Sequence, residues 1–321
     1  MQIMFETLLY EQYGLHLNKA KKSAVGAGSD TWFLDCPEGN YVLKFPATSE
    51  INHPEAEPKL CAFLRKNGIP ACDFVKNRAD SYISTDNAGR TFTLQRYLSG
   101  QTLEWNTASE TILLESAELL GKIHFILQHH PTLPKGIGAD FFANMTPVRA
   151  LESYQHSHET AVRLGDKQSA WELEWRIELM KHFPAWQFDL SKLTVRNTHG
   201  DYFISQFLCE NGHLSSVIDW TTACVHPVIW EIMRSFVYGA PCCANSEIDS
   251  ALLERYLAAY CRYGTLNNYD IENLYKLYFY QIAVCDYYGQ YYDSEADNRK
   301  IYLKQAQLAT KLLKNMDRFF S

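Results

Sequence analysis

The first hundred residues alternate between short apolar runs and turn-forming residues. An apolar face with helical spacing covers residues 1–16, and several segments after it have the short, apolar pattern of strands. These extended segments are 31–34, 41–45, 81–84 and 91–98, and another one precedes the glycine-containing turn at residues 24–30. Helical spacing returns once in this part of the chain, at residues 55–67, and Gly68 ends it. The pattern predicts a strand-rich N-terminal part that contains one internal helix.

Helical spacing dominates the chain after Thr107. Residues 109–128 carry a broad apolar face, and residues 155–186 form a second helical region. The last third, residues 252–320, is helical and rich in tyrosine. The predicted secondary structure therefore changes along the chain, from mostly strands to mostly helices.

One hairpin interrupts the helical part. Asn211-Gly212 lies between two apolar runs, which is a strong short-range hairpin signal. A hairpin brings its outer ends together, so we expect Asp201 and Asp219 to lie side by side. Two close carboxylates repel each other unless a cation or proton lies between them. Either aspartate alone is most simply a turn or cap residue, but the pair favours a divalent metal beside a proton acceptor.

Composition narrows the classes of function. Apolar residues make up 46% of the 321 residues and aromatic residues 14%, which is enough to form a substantial core. The net charge of −7 argues against nucleic-acid and anionic-membrane partners and slightly favours cationic ligands. No charged leader precedes an apolar segment, and the nine cysteines show no CxxC pairing. We therefore expect a cytoplasmic protein with no membrane span.

A lysine and a glutamate stand out in the N-terminal part. Lys44 lies in an apolar strand, where a buried ammonium needs a partner. Glu57 shares a helical face with apolar residues and so points inward, where it could pair with Lys44. The alternative for Glu57 is a first-turn acid favoured by the helix dipole. Gly26 and Gly28, in the turn before the strands, would let backbone N–H groups approach phosphate oxygens.

The segments 199–201 (His-Gly-Asp) and 218–220 (Ile-Asp-Trp), joined by the hairpin, resemble the aminoglycoside phosphotransferase and choline kinase family of small-molecule kinases. The resemblance covers nearly the whole chain, with the motifs in the family's order. It implies an α+β, protein-kinase-like bilobal fold. Residues 1–98 would form a nucleotide-binding lobe with an antiparallel sheet plus one helix, and residues 99–321 a larger, mostly helical catalytic and substrate-binding lobe.

The resemblance also implies roles for single residues. Asp201 corresponds to the catalytic base, and Asp219 to the Mg2+ ligand beside the phosphates of ATP, or of GTP. Gln206 stands where the family usually has an asparagine and offers the same amide oxygen on a longer arm. The implied nucleotide-binding residues are Gly26, Gly28, Ser29, Lys44, Glu57, Gln95 and Tyr97.

Four further positions matter around the catalytic loop. His226 and Trp230 occupy positions that are usually acidic in the family, and Glu231 is expected to take over the structural role of the missing acid. His124 corresponds to a residue that supports the catalytic loop. We expect these departures to affect folding support more than chemistry.

The acceptor is the least determined part. Asp286 and Tyr287, in a stretch rich in tyrosines and acids, are candidates to contact a cationic or sugar-like small molecule. The leading hypothesis is an ATP-dependent phosphotransferase that acts on a hydroxyl. The alternative is a nucleotide-binding protein of the same fold with weak or no transfer activity, suggested by Gln206. A protein kinase fits less well, because no DFG or APE segment is present.

Overall fold

The structure, a computed structural model, describes residues 2–23, 29–46, 54–133, 146–183, 188–294 and 296–316. It divides the chain into two compact units. The first contains Met1–Leu103 and Ser205–Ala223, and the second contains Glu104–Ile204 and Cys224–Ser321. Because these units are discontinuous in sequence, the division into 1–98 and 99–321 stays a prediction about functional lobes.

The first unit is built on an antiparallel sheet. Its strands are β1 (Lys19–Lys22), β2 (Asp30–Cys36), β3 (Gly39–Phe45), β4 (Asp73–Phe74), β5 (Ile83–Thr85) and β6 (Thr91–Arg96). They follow the order β1-β2-β3-β6-β4, and β5 also pairs with β6. The helices of this unit are α1 (Gln2–Tyr13) and α2 (Ala56–Lys66). The strands and helices predicted from the apolar pattern are confirmed, and β4 is an addition.

Strand alternation gives the sheet one apolar face. Leu43 and Phe45 of β3 are buried with Phe5, Leu8 and other residues in a core formed with α1. Successive side chains of a strand point to opposite faces. Lys44 therefore lies on the face away from this core.

Four more strands form two small sheets. They are β7 (Val195–Thr198), β8 (Phe207–Glu210), β9 (His213–Val217) and β10 (Cys224–Pro227). Strands β8 and β9 form the predicted hairpin, which belongs to the first unit. Its turn residues Asn211 and Gly212 both have positive φ, 53° and 81°, as the favoured two-residue hairpin turn requires. In the second unit β7 pairs with β10, so the segment that enters the His199 loop is anchored by a ladder.

The second unit is otherwise helical. Its helices are α3 (Glu110–Leu127), α4 (Pro147–Leu164), α5 (Lys167–His182), α6 (Val228–Gly239), α7 (Ser250–Tyr260), α8 (Asn268–Val284), α9 (Tyr287–Asp293) and α10 (Ala296–Lys314). The single helical region predicted at 155–186 is two helices. Gly165 (φ 72°) ends the first, and the side chain of Asp166 caps the second. Of the helices that the structure describes, none combines the length and apolarity needed to cross a bilayer.

Candidate active site

Lys44 and Asp219 form an ion pair within the first unit. The Lys44 ammonium lies 2.9 Å from Oδ1 of Asp219, although the two residues are 175 positions apart. The Lys44 side chain is only 13% exposed, whereas that of Asp219 is 41% exposed. The charge of the buried lysine is thus matched by a carboxylate that still reaches solvent.

Asp219 adopts an uncommon backbone conformation. Its φ of 61° and ψ of 67° lie in the left-handed region, which side chains with a Cβ rarely adopt. The next residue, Trp220, is buried, and its backbone N–H donates to Oε1 of Glu57 at 3.0 Å. The hydroxyl of Thr221 donates to Oδ1 of Asp219 at 2.8 Å. The two residues that follow Asp219 therefore hold it in position, and α2 contributes through the hydrogen bond of Glu57 to Trp220. The predicted Lys44–Glu57 pair stays a prediction.

A cavity of about 360 Å³ opens on the Lys44 face of the sheet. Its lining includes Phe33 and Tyr97, whose ring centroids are 6.1 Å apart. Residues paired across neighbouring strands share a face. Phe33 pairs with Val42, and Lys44 with Thr31, so Phe33 and Lys44 lie on the same side of the sheet. Sequence reasoning missed Phe33, although its alternation with the buried Leu34 indicates this placement.

The structure describes three of the other residues that were predicted to bind the nucleotide. Gln95 pairs with Val42 and so shares the Lys44 face, and the backbone N–H of Tyr97 donates to the carbonyl of Asn40 at 2.9 Å. Ser29 is half-buried directly before β2. Gly26 and Gly28 lie outside the described residues.

Gln206 and Asp219 offer oxygen donors for a hard divalent cation. The backbone carbonyl of Gln206 accepts a hydrogen bond from the backbone N–H of Ile218 at 2.9 Å, and this bond ties Gln206 to the segment that carries Asp219. Within the described part of the chain, no group of three or more His, Cys, Asp or Glu residues could hold a metal. Magnesium in kinases is commonly held by one or two carboxylates plus substrate phosphates rather than by a cage of protein ligands. One carboxylate with an amide therefore fits a metal that arrives with a nucleotide.

The loop that carries Asp201 is held by Glu231 of α6. Oε1 of Glu231 accepts from the backbone N–H of Gly200 at 2.6 Å. Its Oε2 lies 2.8 Å from Nε2 of His124. The expectation that Glu231 replaces the missing acid and that His124 supports the loop is confirmed by these contacts. The positions of His226 and Trp230, by contrast, hold two stacked rings with centroids 4.5 Å apart.

Glu231 is charged although it is completely buried. Burial opposes ionisation of this carboxyl, but the hydrogen bond and charge of His124, the charge of His199 and the Gly200 N–H together hold its pKa below its usual range. A buried ion needs such partners to be tolerated. The Asp201 loop is thus tied to a fixed negative charge in the interior.

Asp201 is itself paired with Arg234, which lies one turn after Glu231 in α6. Nε and Nη2 of Arg234 both donate to Oδ1 of Asp201, at 3.1 and 2.6 Å. The side chain of Arg234 is 10% exposed and that of Asp201 is 29% exposed. Burial opposes the charge of Arg234, but the Asp201 carboxylate raises its pKa well above its usual value. Sequence reasoning missed Arg234, whose signal was a lone arginine in an apolar helix.

The guanidinium of Arg234 lies among aromatic rings. Its central carbon is 4.9 Å from the ring centroid of Phe203 and 4.8 Å from that of Tyr238. The ring of Trp230 is 5.7 Å away. Cation–π contacts of this kind stabilise a desolvated guanidinium. Trp230, expected to affect mainly folding, therefore also contacts the arginine that binds Asp201.

Asp286 and Tyr287, the two residues predicted to contact the acceptor molecule, both form hydrogen bonds within the protein. The side chain of Asp286 caps α9 by accepting from the backbone N–H of Gly289 at 2.9 Å. Tyr287 is 6% exposed, and its hydroxyl accepts from Gln281 at 3.1 Å. Their contact with a substrate stays a prediction.

Asp201 and Asp219 belong to different compact units. The predicted convergence of their carboxylates, and the assignment of base and metal ligand, stay predictions. What the structure establishes for each is its immediate surroundings: an arginine and an anchored loop for Asp201, and a lysine and a constrained backbone for Asp219.

Solved structures with this fold include several small-molecule kinases. Spectinomycin phosphotransferase APH(9)-Ia, in complex with ADP and spectinomycin, aligns with a TM-score of 0.67 and 14% identity over 99% of this chain and 98% of its own. Amicoumacin kinase hAmiN, bound to AMP-PNP and Ca2+, aligns with a TM-score of 0.63 and 13% identity over 96% and 93%. Choline kinase LicA from Streptococcus pneumoniae gives 0.59 and 15% identity over 98% and 99%.

Sequence comparison leads to the same group of enzymes. Homoserine kinase of Methylobacillus flagellatus is 24% identical over 241 residues, which is 73% of this chain and 69% of the relative. The model of the phosphotransferase enzyme family, APH, matches residues 19–274. The predicted family and the predicted kinase-like bilobal fold are therefore confirmed. The chain belongs to the APH phosphotransferase enzyme family and is a small-molecule phosphotransferase.

Proposed function

We propose that the protein transfers the γ-phosphate of ATP to a hydroxyl of a small molecule, with Mg2+ as the metal. The observation that carries this proposal is the 2.9 Å pair between Lys44 and Asp219. It places the strand lysine and the aspartate of the Ile-Asp-Trp motif together, which is what the chemistry of a bound nucleotide and metal requires. The hairpin that delivers Asp219 supports the same conclusion.

The nucleotide is proposed to bind on the Lys44 face of the first unit. The cavity lined by Phe33 and Tyr97 offers flat apolar surfaces for a purine, and Lys44 offers a positive charge for the phosphates. Gln95, Glu57 and Ser29 lie on the surrounding elements. These features suit ATP and GTP alike, so both nucleotides belong in the test.

Asp219 and Gln206 would hold the metal. A bound Mg2+ supplies positive charge that neutralises the phosphate oxygens as the phosphoryl group transfers. Lys44 remains beside Asp219 to fix the phosphates from the sheet. The strained backbone of Asp219 keeps its carboxylate in place before the nucleotide arrives.

Asp201 is proposed to orient the acceptor hydroxyl and to take its proton. The acceptor oxygen forms a bond to the γ-phosphorus, the bond from that phosphorus to the β,γ-bridging oxygen breaks, and ADP leaves with the electron pair. The proton of the hydroxyl passes to the Asp201 carboxylate. Glu231 holds the loop so that this carboxylate is positioned in advance, and catalysis rests mainly on positioning and charge.

The acceptor is proposed to be a small, hydroxyl-bearing metabolite or antibiotic. The relatives act on chemically different molecules, named by homoserine kinase, choline kinase and spectinomycin phosphotransferase. The net charge of −7 and the tyrosine-rich C-terminal helices favour a cationic or sugar-like molecule. L-homoserine, choline and spectinomycin therefore form the first acceptor panel.

The test separates the two aspartates. Asp201→Ala should abolish transfer from γ-labelled ATP while the rise in melting temperature caused by ATP and Mg2+ remains, because a ligand that binds only the folded state stabilises it. Asp219→Ala should lose the Mg2+-dependent part of that rise. The exposed Asp80 offers a control, since Asp80→Ala should alter neither quantity.

Three results would count against the proposal. Unchanged transfer in the Asp201 variant removes the base, and an unchanged Mg2+-dependent rise in the Asp219 variant removes the metal ligand. No transfer by the wild-type protein to any acceptor or to water contradicts the phosphotransfer itself.

A further inference from the structure

We propose that Arg234 is a positioning residue for the reaction, and that it holds the Asp201 carboxylate so that Oδ2 faces the acceptor hydroxyl. The inference rests on the proposed function, in which Asp201 takes the proton of the acceptor. Arg234 does not itself touch the reacting atoms. Its role is to select one orientation of the group that does.

The contact geometry distinguishes the two carboxylate oxygens. Nε and Nη2 of Arg234 both donate to Oδ1 of Asp201, at 3.1 and 2.6 Å. Two charge-assisted hydrogen bonds to a single oxygen fix the rotation of the carboxylate plane. The oxygen that accepts them has reduced capacity to take another proton, so the geometry assigns proton transfer to Oδ2.

The guanidinium is itself held in one place. Phe203 and Tyr238 lie 4.9 and 4.8 Å from it, and its side chain is 10% exposed. Phe203 follows Asp201 by two residues, so the same short segment carries the carboxylate and one of the rings that contact its arginine. A lysine has neither the planar fork nor the two donors with fixed spacing. The site is therefore built for arginine rather than for positive charge alone.

A second buried arginine in the same unit shows what a purely structural role looks like. Arg176 is 1% exposed and donates to the hydroxyls of Tyr154 and Thr310 and to backbone carbonyls, including that of Ile282. These contacts join helices of the core. Arg234 instead directs two donors at the side chain of the proposed base, which a role in packing does not require.

Arg234→Lys and Arg234→Ala test the proposal. The assay uses γ-labelled ATP, Mg2+ and L-homoserine or choline, with transfer to water as the readout when neither accepts. We expect Arg234→Lys to lower kcat at least tenfold while the KM for ATP stays within twofold and the melting temperature is retained. We expect methylguanidinium to restore part of the kcat of Arg234→Ala, because the ion can enter the space between the rings of Phe203 and Tyr238.

The control is Arg262→Met, which removes an exposed arginine paired with Glu118 and should leave kcat and melting temperature unchanged. If Arg234→Ala does not fold, the kinetics of Arg234→Lys alone test the positioning role. A kcat within twofold of wild type in that variant, or a raised KM for ATP with kcat intact, overturns the positioning role.

Failure of this inference can be told from failure of the proposed function. Only the inference is overturned if the wild type turns over, Asp201→Ala is inactive and Arg234→Lys keeps the kcat of the wild type. Absence of wild-type transfer to every acceptor and to water, or full activity of Asp201→Ala, overturns the proposed function and this inference with it.

Discussion

Oε1 of Glu231 accepts a hydrogen bond from the backbone N–H of Gly200, so a buried helix carboxylate holds the loop that carries Asp201. Gly200 has a φ of 82°, a conformation in which the loop turns sharply between His199 and Asp201. Oε2 of the same carboxylate contacts His124 on α3. One side chain thus joins two helices to the loop, and this connection makes the loop sensitive to the ionisation of Glu231.

Glu231→Gln should lower stability in a pH-dependent way. Because the pKa of Glu231 is lowered in the folded protein, its charge contributes stability above its unfolded pKa of about 4.3, and this contribution is lost as pH falls through the folded pKa. We expect the variant to lose about 3–5 kcal/mol of unfolding free energy at neutral pH, the range for breaking a buried charged pair. The difference between variant and wild type should shrink below about pH 4.

Urea unfolding at several pH values measures this difference. The control is Glu178→Gln, which removes an exposed carboxylate that contacts Lys181 and His182 and should change stability little at any pH. A difference for Glu231→Gln that stays constant from neutral to acid pH contradicts the assignment of a charged Glu231.

Local signals made much of the fold predictable. Asn211-Gly212 predicted a two-residue turn, and the apolar run at residues 41–45 predicted the strand that carries Lys44. The turn and the strand each depend on a few neighbouring residues, which is the range over which sequence patterns act. Glu231 was identified through the family resemblance instead, because it stands one residue from a position that is usually acidic in the family.

Two of the three features that were not predicted depend on partners that are distant in sequence. Arg234 is 33 residues from Asp201, and only the packing of α6 against the loop makes it a partner. The pairing of β7 with β10 joins two strands of four residues each, too short for a clear periodic signal. The break at Gly165 was a local signal that the apolar pattern on either side obscured.

Phe33→Ala should weaken nucleotide binding without slowing the chemistry. Its ring lines the cavity on the Lys44 face, at the position proposed for the base. Loss of one base–aromatic stacking contact costs about 1–3 kcal/mol, so we expect the KM for ATP to rise by about tenfold with kcat nearly unchanged. Steady-state kinetics and the melting-temperature rise with nucleotide both measure this.

The matched control is Phe125→Ala, which removes another exposed ring, on α3. It should leave the KM for ATP as it is in the wild type. An unaltered KM in Phe33→Ala, or a loss confined to kcat, places the base elsewhere.

Gln206→Ala should make activity depend more strongly on Mg2+ concentration. The variant removes an amide oxygen from the proposed metal site and leaves Asp219, so the metal is held less tightly but not lost. We expect turnover at low Mg2+ to fall by about tenfold or more, since each tenfold corresponds to about 1.4 kcal/mol, and to recover as Mg2+ is raised. Gln206→Asn, which keeps an amide oxygen, should behave like the wild type.

Titration of activity with Mg2+ at saturating ATP gives the result. Equal dependence on Mg2+ in the wild type and in Gln206→Ala excludes Gln206 as a ligand. The control is Gln155→Ala, which removes an exposed amide on α4 in the second unit and should not change the Mg2+ dependence.

Asp219→Gly and Asp219→Ala should differ in stability while both lack activity. Each removes the carboxylate that binds Lys44, so the difference between them isolates the backbone. At a φ of 61° the Cβ of alanine is strained and glycine is not. We therefore expect the glycine variant to be the more stable by about 1 kcal/mol in urea unfolding.

The same pair of substitutions at Glu159, an exposed residue inside α4, should give the opposite order, because glycine costs about 1 kcal/mol relative to alanine within a helix. If alanine is the more stable at both positions, the conformation of Asp219 is not strained, and its carboxylate is placed by the contacts of Lys44, Trp220 and Thr221 alone.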